Sequence, residues 1–356
     1  MLEPTAIPRV GEEINSPKLS EFLQLNLGKE LVVKEIRQFT GGYSNLTYLV
    51  ITNQGQWVLR RPPGGVAIQH AHDMGREYRV LEKLKGIYGR IPNPVILCED
   101  ESVLGYPFYL MEKINGLILR HPQQLDMEFG ASVMRQISES VVDNLALLHQ
   151  INIHSTGLGK LGKPEGYVGR QVAGWTKRYQ HAMTDDIPDM HNLARWMEAN
   201  QPKDDYPGLI HNDYKYDNLV LDASEPARIL AVLDWEMATV GDTRMDLGTS
   251  LAYWSEPSEA DASPLMSNSV SWLPGNLNRE EVVERYAKAT GHDPGNILFY
   301  YVYGTFKIAV IVQQIYSRWK KGLSQDPRFG ELIHGVRFFA HLGKRAIEKG
   351  RISDLL

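Results

Sequence analysis

Apolar and polar positions change period along this chain, and the change divides it. Between residues 31 and 112 apolar residues come in short runs, at 32–39, 46–51, 57–60, 95–100 and 106–111, separated by clusters such as Thr40-Gly41-Gly42 and Asn53-Gln54-Gly55. Short runs bounded by turn residues predict strands. One helical stretch interrupts them at about 72–85, where Tyr78, Leu81 and Leu84 recur on one face with Glu77 beside that stripe. After Glu112-Lys113-Ile114-Asn115-Gly116, a plausible linker, the period changes. Val133, Ile137, Val141, Leu145 and Leu148 repeat at helical spacing over 131–150, and further helices are expected at 166–181, 247–254, 299–319 and 332–347. The pattern therefore predicts an arm and short helix over 1–30, opened by Ser16-Pro17, a strand-rich lobe over 31–112 and a mainly helical lobe over 113–356.

One stretch of the second half breaks its helical period. Leu219-Val220-Leu221-Asp222 and Ile229 to Glu236 are apolar runs separated by Ala223 to Arg228, which predicts an antiparallel hairpin. Pairing would make Asn218 and Asp234, just outside its open end, neighbours, with Asp213 on the loop leading in. Asp213, Asn218 and Asp234 would then form a set of oxygen donors. Hard cations such as Mg²⁺ favour such donors, usually few from protein and the rest from phosphates and water. The set is a candidate phosphoryl-transfer site.

Composition narrows the partners. At 356 residues the chain is long for one core. Its net charge of −5 gives no global attraction for nucleic acid. Cys98 is the only cysteine, which excludes an intrachain disulfide and a thiolate metal cluster and fits a cytoplasmic setting. The first residues lack the pattern of a secretory signal, and the apolar stretch 298–312 is interrupted by Gly304 and Lys307, so it reads as a buried helix and not a membrane span. Residues 255–275, rich in Ser, Pro and Glu, read as irregular surface.

Upstream residues add chemistry, each with an ordinary alternative. Gly41-Gly42, followed by Ser44 and Asn45, suits backbone approach to an anion and equally suits a plain hairpin turn. Arg60 or Arg61, at a strand end, is in reach of a phosphate, and Glu77 would orient an arginine arriving from that strand unless it lies on a solvated helix face. His149 ends a helix, where it would cap carbonyls or complement the dipole. Asp242 suits a helix N-cap, and Asp246 would anchor the Asp213 loop.

The order of glycine turn, strand-end cation, helix glutamate, linker, His211-Asn212-Asp213…Asn218 and Asp234-Trp235-Glu236, with Gly241-Asp242…Asp246-Leu247, resembles the aminoglycoside phosphotransferase and choline kinase superfamily. Residues 57–64 look most like the branch related to the kinase-like domains of some acyl-CoA dehydrogenases. The resemblance spans about residues 30–340 and implies an α+β, two-lobed protein-kinase-like fold and an ATP- or GTP-dependent small-molecule kinase.

By matching position, Asp213 would orient or accept the proton of the acceptor hydroxyl. Asn218 and Asp234 would hold Mg²⁺, Gly41, Gly42, Ser44 and Asn45 would cover the phosphates, and Met111 with Lys113 would meet the base. Arg60, where the family usually has lysine, would pair with Glu77. Acceptor candidates are Trp175, Arg178, Tyr179, Glu236, Arg244, Tyr253 and Trp254, and the implied acceptor is a hydroxylated small molecule such as a hydroxy acid or its acyl-CoA ester. Two other readings stay open: a non-catalytic nucleotide-binding module, and a metal-dependent hydrolase using His211, Asp213 and Asp234.

Overall fold

In a computed structural model of the protein, residues 4–41, 45–63, 73–122, 129–324 and 326–356 are described. They fall into two compact units. The first runs to Ile118 and includes Leu219–Ala238; the second comprises Leu119–Asn218 and Thr239–Leu356.

The first unit is built on an antiparallel sheet of β1 (Thr5–Ala6), β2 (Val33–Phe39), β3 (Leu46–Thr52), β4 (Gln56–Arg61), β5 (Pro94–Cys98) and β6 (Phe108–Glu112), in the order β1-β2-β3-β4-β6-β5. Its helices are α1 (Ser16–Leu27), α2 (Met74–Leu84) and α3 (Glu101–Leu104). Leu19 and Leu23 of α1 share a core with Tyr48, Val50, Leu59, Phe108 and Leu110, so the opening segment packs into this unit. The cap of α1 is Asn15, whose side chain accepts from the Lys18 amide at 3.1 Å, one residue earlier than the Ser16-Pro17 reading. Asp73 caps α2 in the same way.

The expected hairpin is present as β8 (Leu219–Leu221) and β9 (Ile229–Val232), with Leu219 opposite Val232. Its second strand stops at Val232, short of Glu236. Asp234 takes a left-handed backbone (φ 66°) and Trp235–Met237 form a 3-10 turn. A residue at positive φ cannot continue an extended strand, and the apolar residues that suggested one are buried by the turn instead.

The second unit carries α4 (Ala131–His149), α5 (Tyr167–Ala182), α6 (Pro188–Ala199), a two-stranded sheet of β7 (Pro207–Ile210) and β10 (Thr239–Asp242), then α7 (Thr243–Tyr253), α8 (Pro257–Ala262), α9 (Pro264–Ser267), α10 (Arg279–Thr290), α11 (Ile297–Lys320) and α12 (Leu332–Lys349). Asp242 caps α7 as expected, accepting from the Arg244 amide at 2.9 Å. Helix α11 is buried on every side from Phe299 to Val310. Among the described residues no helix is long and apolar enough to cross a membrane.

Two glycines set how closely α7 and α11 approach. A Cβ at Gly248 would collide with the Tyr300 carbonyl, and one at Gly304 with the Gly248 carbonyl. Any side chain at either position would force the helices apart. Residues 255–275 are irregular surface only in part. Helices α8 and α9 occupy the first half, and Glu259, with no exposure, grips the equally buried guanidinium of Arg279. That cation comes from the start of α10, far along the chain, so no local pattern announced the pairing.

Candidate active site

In the first unit the chemistry gathers on Arg60. Successive strand residues point to opposite faces, so Arg60 and Arg61 part company. Arg61 lies over the Tyr106 ring (4.3 Å) and donates to the Glu12 carbonyl. Arg60 places Nη1 2.5 Å from Glu77 Oε1 and Nη2 3.1 Å from Asp234 Oδ1. Glu77, expected beside the apolar stripe of its helix, is 1% exposed, and its Oε1 also accepts from the Trp235 amide at 3.2 Å. Burial pushes the Glu77 carboxyl up to about 7 against the pull of Arg60. Burial opposes the charge of Arg60 too, but Glu77 and Asp234 outweigh it and hold its pKa well above the ordinary value.

The segment after the hairpin is tied down from several sides of the same unit. The Asn45 amide donates to Glu236 Oε2 at 2.6 Å, and Arg76 donates to the Ala238 carbonyl at 2.9 Å. Asn45 therefore meets Glu236, which the sequence had offered as an acceptor residue. Met111 is buried in β6 and receives the Tyr109 hydroxyl at 3.8 Å, while the Lys113 ammonium turns to Asn115. Gly41 is exposed; Gly42 and Ser44 lie outside the described residues.

In the second unit the loop after β7 is held by its own backbone. Asp246, in the first turn of α7, accepts the amides of His211 (2.7 Å) and Asn212 (2.8 Å), the anchoring role expected of it. His149 does not cap its helix. Its ring nitrogens contact Asp246 Oδ2 (3.1 Å) and the Tyr286 hydroxyl (2.7 Å), a buried partnership that fixes the carboxylate. Asn212 takes a left-handed backbone (φ 67°), and its carbonyl accepts from Lys307 Nζ at 2.6 Å.

Asp213 follows. Lys215 Nζ is 3.0 Å from its Oδ2, and the Asn218 amide donates to the same oxygen at 2.9 Å and to the Asp213 carbonyl at 2.8 Å. Burial works to raise this carboxyl, but Lys215, then His211 and Lys307, more than offset it, so its pKa lies below the ordinary range. It is an ionised carboxylate in a fixed position. Among the described residues no group of three or more His, Cys, Asp or Glu is arranged to hold a metal ion.

Residues 35–292 match the phosphotransferase enzyme family (APH). The chain belongs to that family. Acyl-CoA dehydrogenase family member 10 of Mus musculus is 36% identical over 286 residues, 80% of this chain and 26% of that protein. Acyl-CoA dehydrogenase family member 11 of Gallus gallus is 33% identical over 321 residues, 88% and 40% of the two. This phosphotransferase-family chain thus spans about a quarter to two fifths of the length of these curated relatives.

Among solved structures, a protein of Ralstonia eutropha provisionally assigned as an aminoglycoside phosphotransferase is 30% identical with a TM-score of 0.79, covering 95% of this chain and 99% of that one. A choline kinase from Cryptosporidium parvum Iowa II (14% identity, TM-score 0.63, 94% and 97% covered) shares the fold. So does a spectinomycin phosphotransferase solved with ADP and spectinomycin (13%, 0.60, 96% and 97%). The fold is the α+β, two-lobed kinase-like one.

Within this phosphotransferase family member the acceptor candidates separate. Tyr253 stands by the loop: its ring lies 4.7 Å from Lys215 Nζ, and burial together with the nearby Asp213 carboxylate raises its hydroxyl above the ordinary range. Trp175 carries Arg178 on its ring at 4.5 Å and Lys307 Nζ at 5.8 Å. Tyr179 is buried against His191 and Phe306. Arg244 is committed to a two-pronged pair with Asp242 between the Tyr206 and Tyr300 rings, and Trp254 donates to the Leu277 carbonyl at 2.7 Å. Two residues escaped the sequence reading. Lys215 stood two positions after Asp213, and Lys307 was visible as a lone cation in an apolar run.

Proposed function

We propose that the protein transfers the γ-phosphate of ATP, or of GTP, to a hydroxyl of a small molecule, with Asp213 as the base. The observation that carries this reading is the state of Asp213. It is ionised, held by Lys215 and Asn218 on a loop whose amides are fixed by Asp246, in a member of a phosphotransferase family. Catalysis of phosphoryl transfer is largely positioning and charge neutralisation, so a rigid carboxylate aimed at a hydroxyl is the part the protein must supply.

The donors suit Mg²⁺. Asn218 spends its amide nitrogen on Asp213, which leaves Oδ1 as a donor, and Asp234 engages Arg60 through Oδ1, which leaves Oδ2. When bound, the ion would neutralise charge on the nucleotide phosphates. Arg60 would face those phosphates with Glu77 fixing its plane, Gly41, Gly42, Ser44 and Asn45 would cover them, and Met111 and Lys113 would flank the base. The acceptor in this reading is a hydroxy acid or its acyl-CoA ester; the names of the curated relatives favour an acyl-CoA-related compound.

Single-turnover transfer of γ-phosphate to a panel of hydroxylated acids and their CoA esters tests the reading, with Asp213→Ala as the control. Turnover untouched by that change sinks it. A second reading, a nucleotide-binding module without turnover, draws on Arg60, whose guanidinium already serves two carboxylates. Calorimetry that finds MgATP binding while no acceptor is phosphorylated favours it.

A further inference from the structure

Lys307 is 1% exposed in the middle of a helix that is otherwise aliphatic, aromatic and small from Phe299 to Val310, apart from the Thr305 hydroxyl. Burying an ammonium is costly, and among the described residues this one has a single hydrogen bond, to the Asn212 carbonyl at 2.6 Å. The groups around it come from three elements. Asp246 belongs to α7, Asp213 and Lys215 to the loop, and Arg178 and Trp175 to α5.

The contact depends on the close helix crossing. Gly304 lies one turn before Lys307 and Gly248 two residues after Asp246, so the approach that only glycine permits brings both side chains to the same loop. Asp246 takes the amides of His211 and Asn212, and Lys307 takes the next carbonyl. Between them lies Asn212 at φ 67°, a left-handed conformation that asparagine tolerates better than other residues with a Cβ, and here both its amide and its carbonyl are pinned.

We infer that Lys307 is a positioning residue: together with Asp246 it clamps the left-handed Asn212 backbone and so presents the Asp213 carboxylate. The inference rests on the phosphotransferase reading for its catalytic consequence, but the clamp itself does not. An apolar side chain at 307 would remove the charged hydrogen bond to the Asn212 carbonyl and loosen the Asn212–Asp213 peptide. The ammonium also helps Lys215 and His211 keep Asp213 ionised. Burial lowers Lys307 to about 8, so its charge is lost within an accessible pH range.

The test uses the full chain with Lys307→Met and Lys307→Gln, read by hydrogen exchange and by phosphate release from MgATP with water as acceptor. In Lys307→Met, amide exchange at 211–214 should accelerate about tenfold, the consequence of losing one charged hydrogen bond, while α7 and α11 stay protected. Its melting temperature should not fall, because a buried ammonium has been removed. Phosphate release should drop by about tenfold in kcat at unchanged KM for MgATP, and the wild-type decline above about pH 8 should disappear. Lys307→Gln, which retains a donor, should restore loop protection. Unchanged exchange at 211–214, or loss of protection spread evenly through α7 and α11 with a lower melting temperature, overturns the inference. Should the loop respond as expected while wild type never releases phosphate, the clamp stands and the phosphotransferase reading falls.

Discussion

Arg60 and Asp213 are opposite solutions to holding a charge where water is scarce. In the first unit a guanidinium faces two carboxylates, Glu77 and Asp234, so negative charge is in excess and burial lifts Glu77 upward. In the second unit a carboxylate faces cations, Lys215 beside it and Lys307 behind it, and its pKa falls. The first arrangement leaves carboxylate oxygen in want of a further cation. The second leaves a carboxylate charged and in want of a proton donor. That contrast bears on the proposed roles, in which Asp234 and Asn218 would hold the metal and Asp213 would face the acceptor.

The largest effect should come from Asp213→Ala. Loss of a positioned base costs about 10²–10⁴-fold in rate, measured as single-turnover transfer, with folding unchanged by circular dichroism. Glu77→Ala should act on stability instead, by about 3–5 kcal/mol in urea unfolding, because it strips a buried guanidinium of its nearer partner. If both changes act alike on rate and stability, the contrast is broken. Arg60→Lys is milder, about 1–3 kcal/mol, since a point charge cannot reach Glu77 and Asp234 with the two arms of a fork. The same urea series measures it.

The smallest effects should be in pH dependence, and they should have opposite signs. Glu77 is raised from 4.5 to about 7, so the stability it contributes is present below about pH 4.5 and lost as pH rises through about 7. Lys307 is lowered from 10.5 to about 8, so its contribution is present above about pH 10.5 and lost as pH falls through about 8. Stability of the metal-free protein should therefore fall from pH 5 to 7 and recover from pH 8 to 10. Glu77→Gln should flatten only the first limb and Lys307→Met only the second.

Much of this was legible before any coordinates. The strands of the first unit, the helix carrying Glu77, the hairpin and the long later helices follow from period and turn chemistry, and each lies within a few residues of its expected place. The misreadings share a cause. Glu236 was assigned to a strand because its neighbours are apolar, yet the left-handed Asp234 ends that strand earlier. Residues 255–275 looked like surface because they are polar, yet Glu259 is buried by an arginine twenty positions on. His149 looked like a helix cap, yet its partner is Asp246.

By itself the sequence determined the kinds of element, their order and the acid, amide and glycine motifs, because these depend on the alternation of side chains over a few residues. Tertiary structure chose among the offered partnerships, Arg60 and not Arg61 on Glu77 and Asp246 on two loop amides, and it alone put a lysine from α11 on the carbonyl before Asp213 and set the charge environment of each group. Those choices turn on which side chains lose water together, and desolvation is set by residues distant in the chain that packing brings into contact.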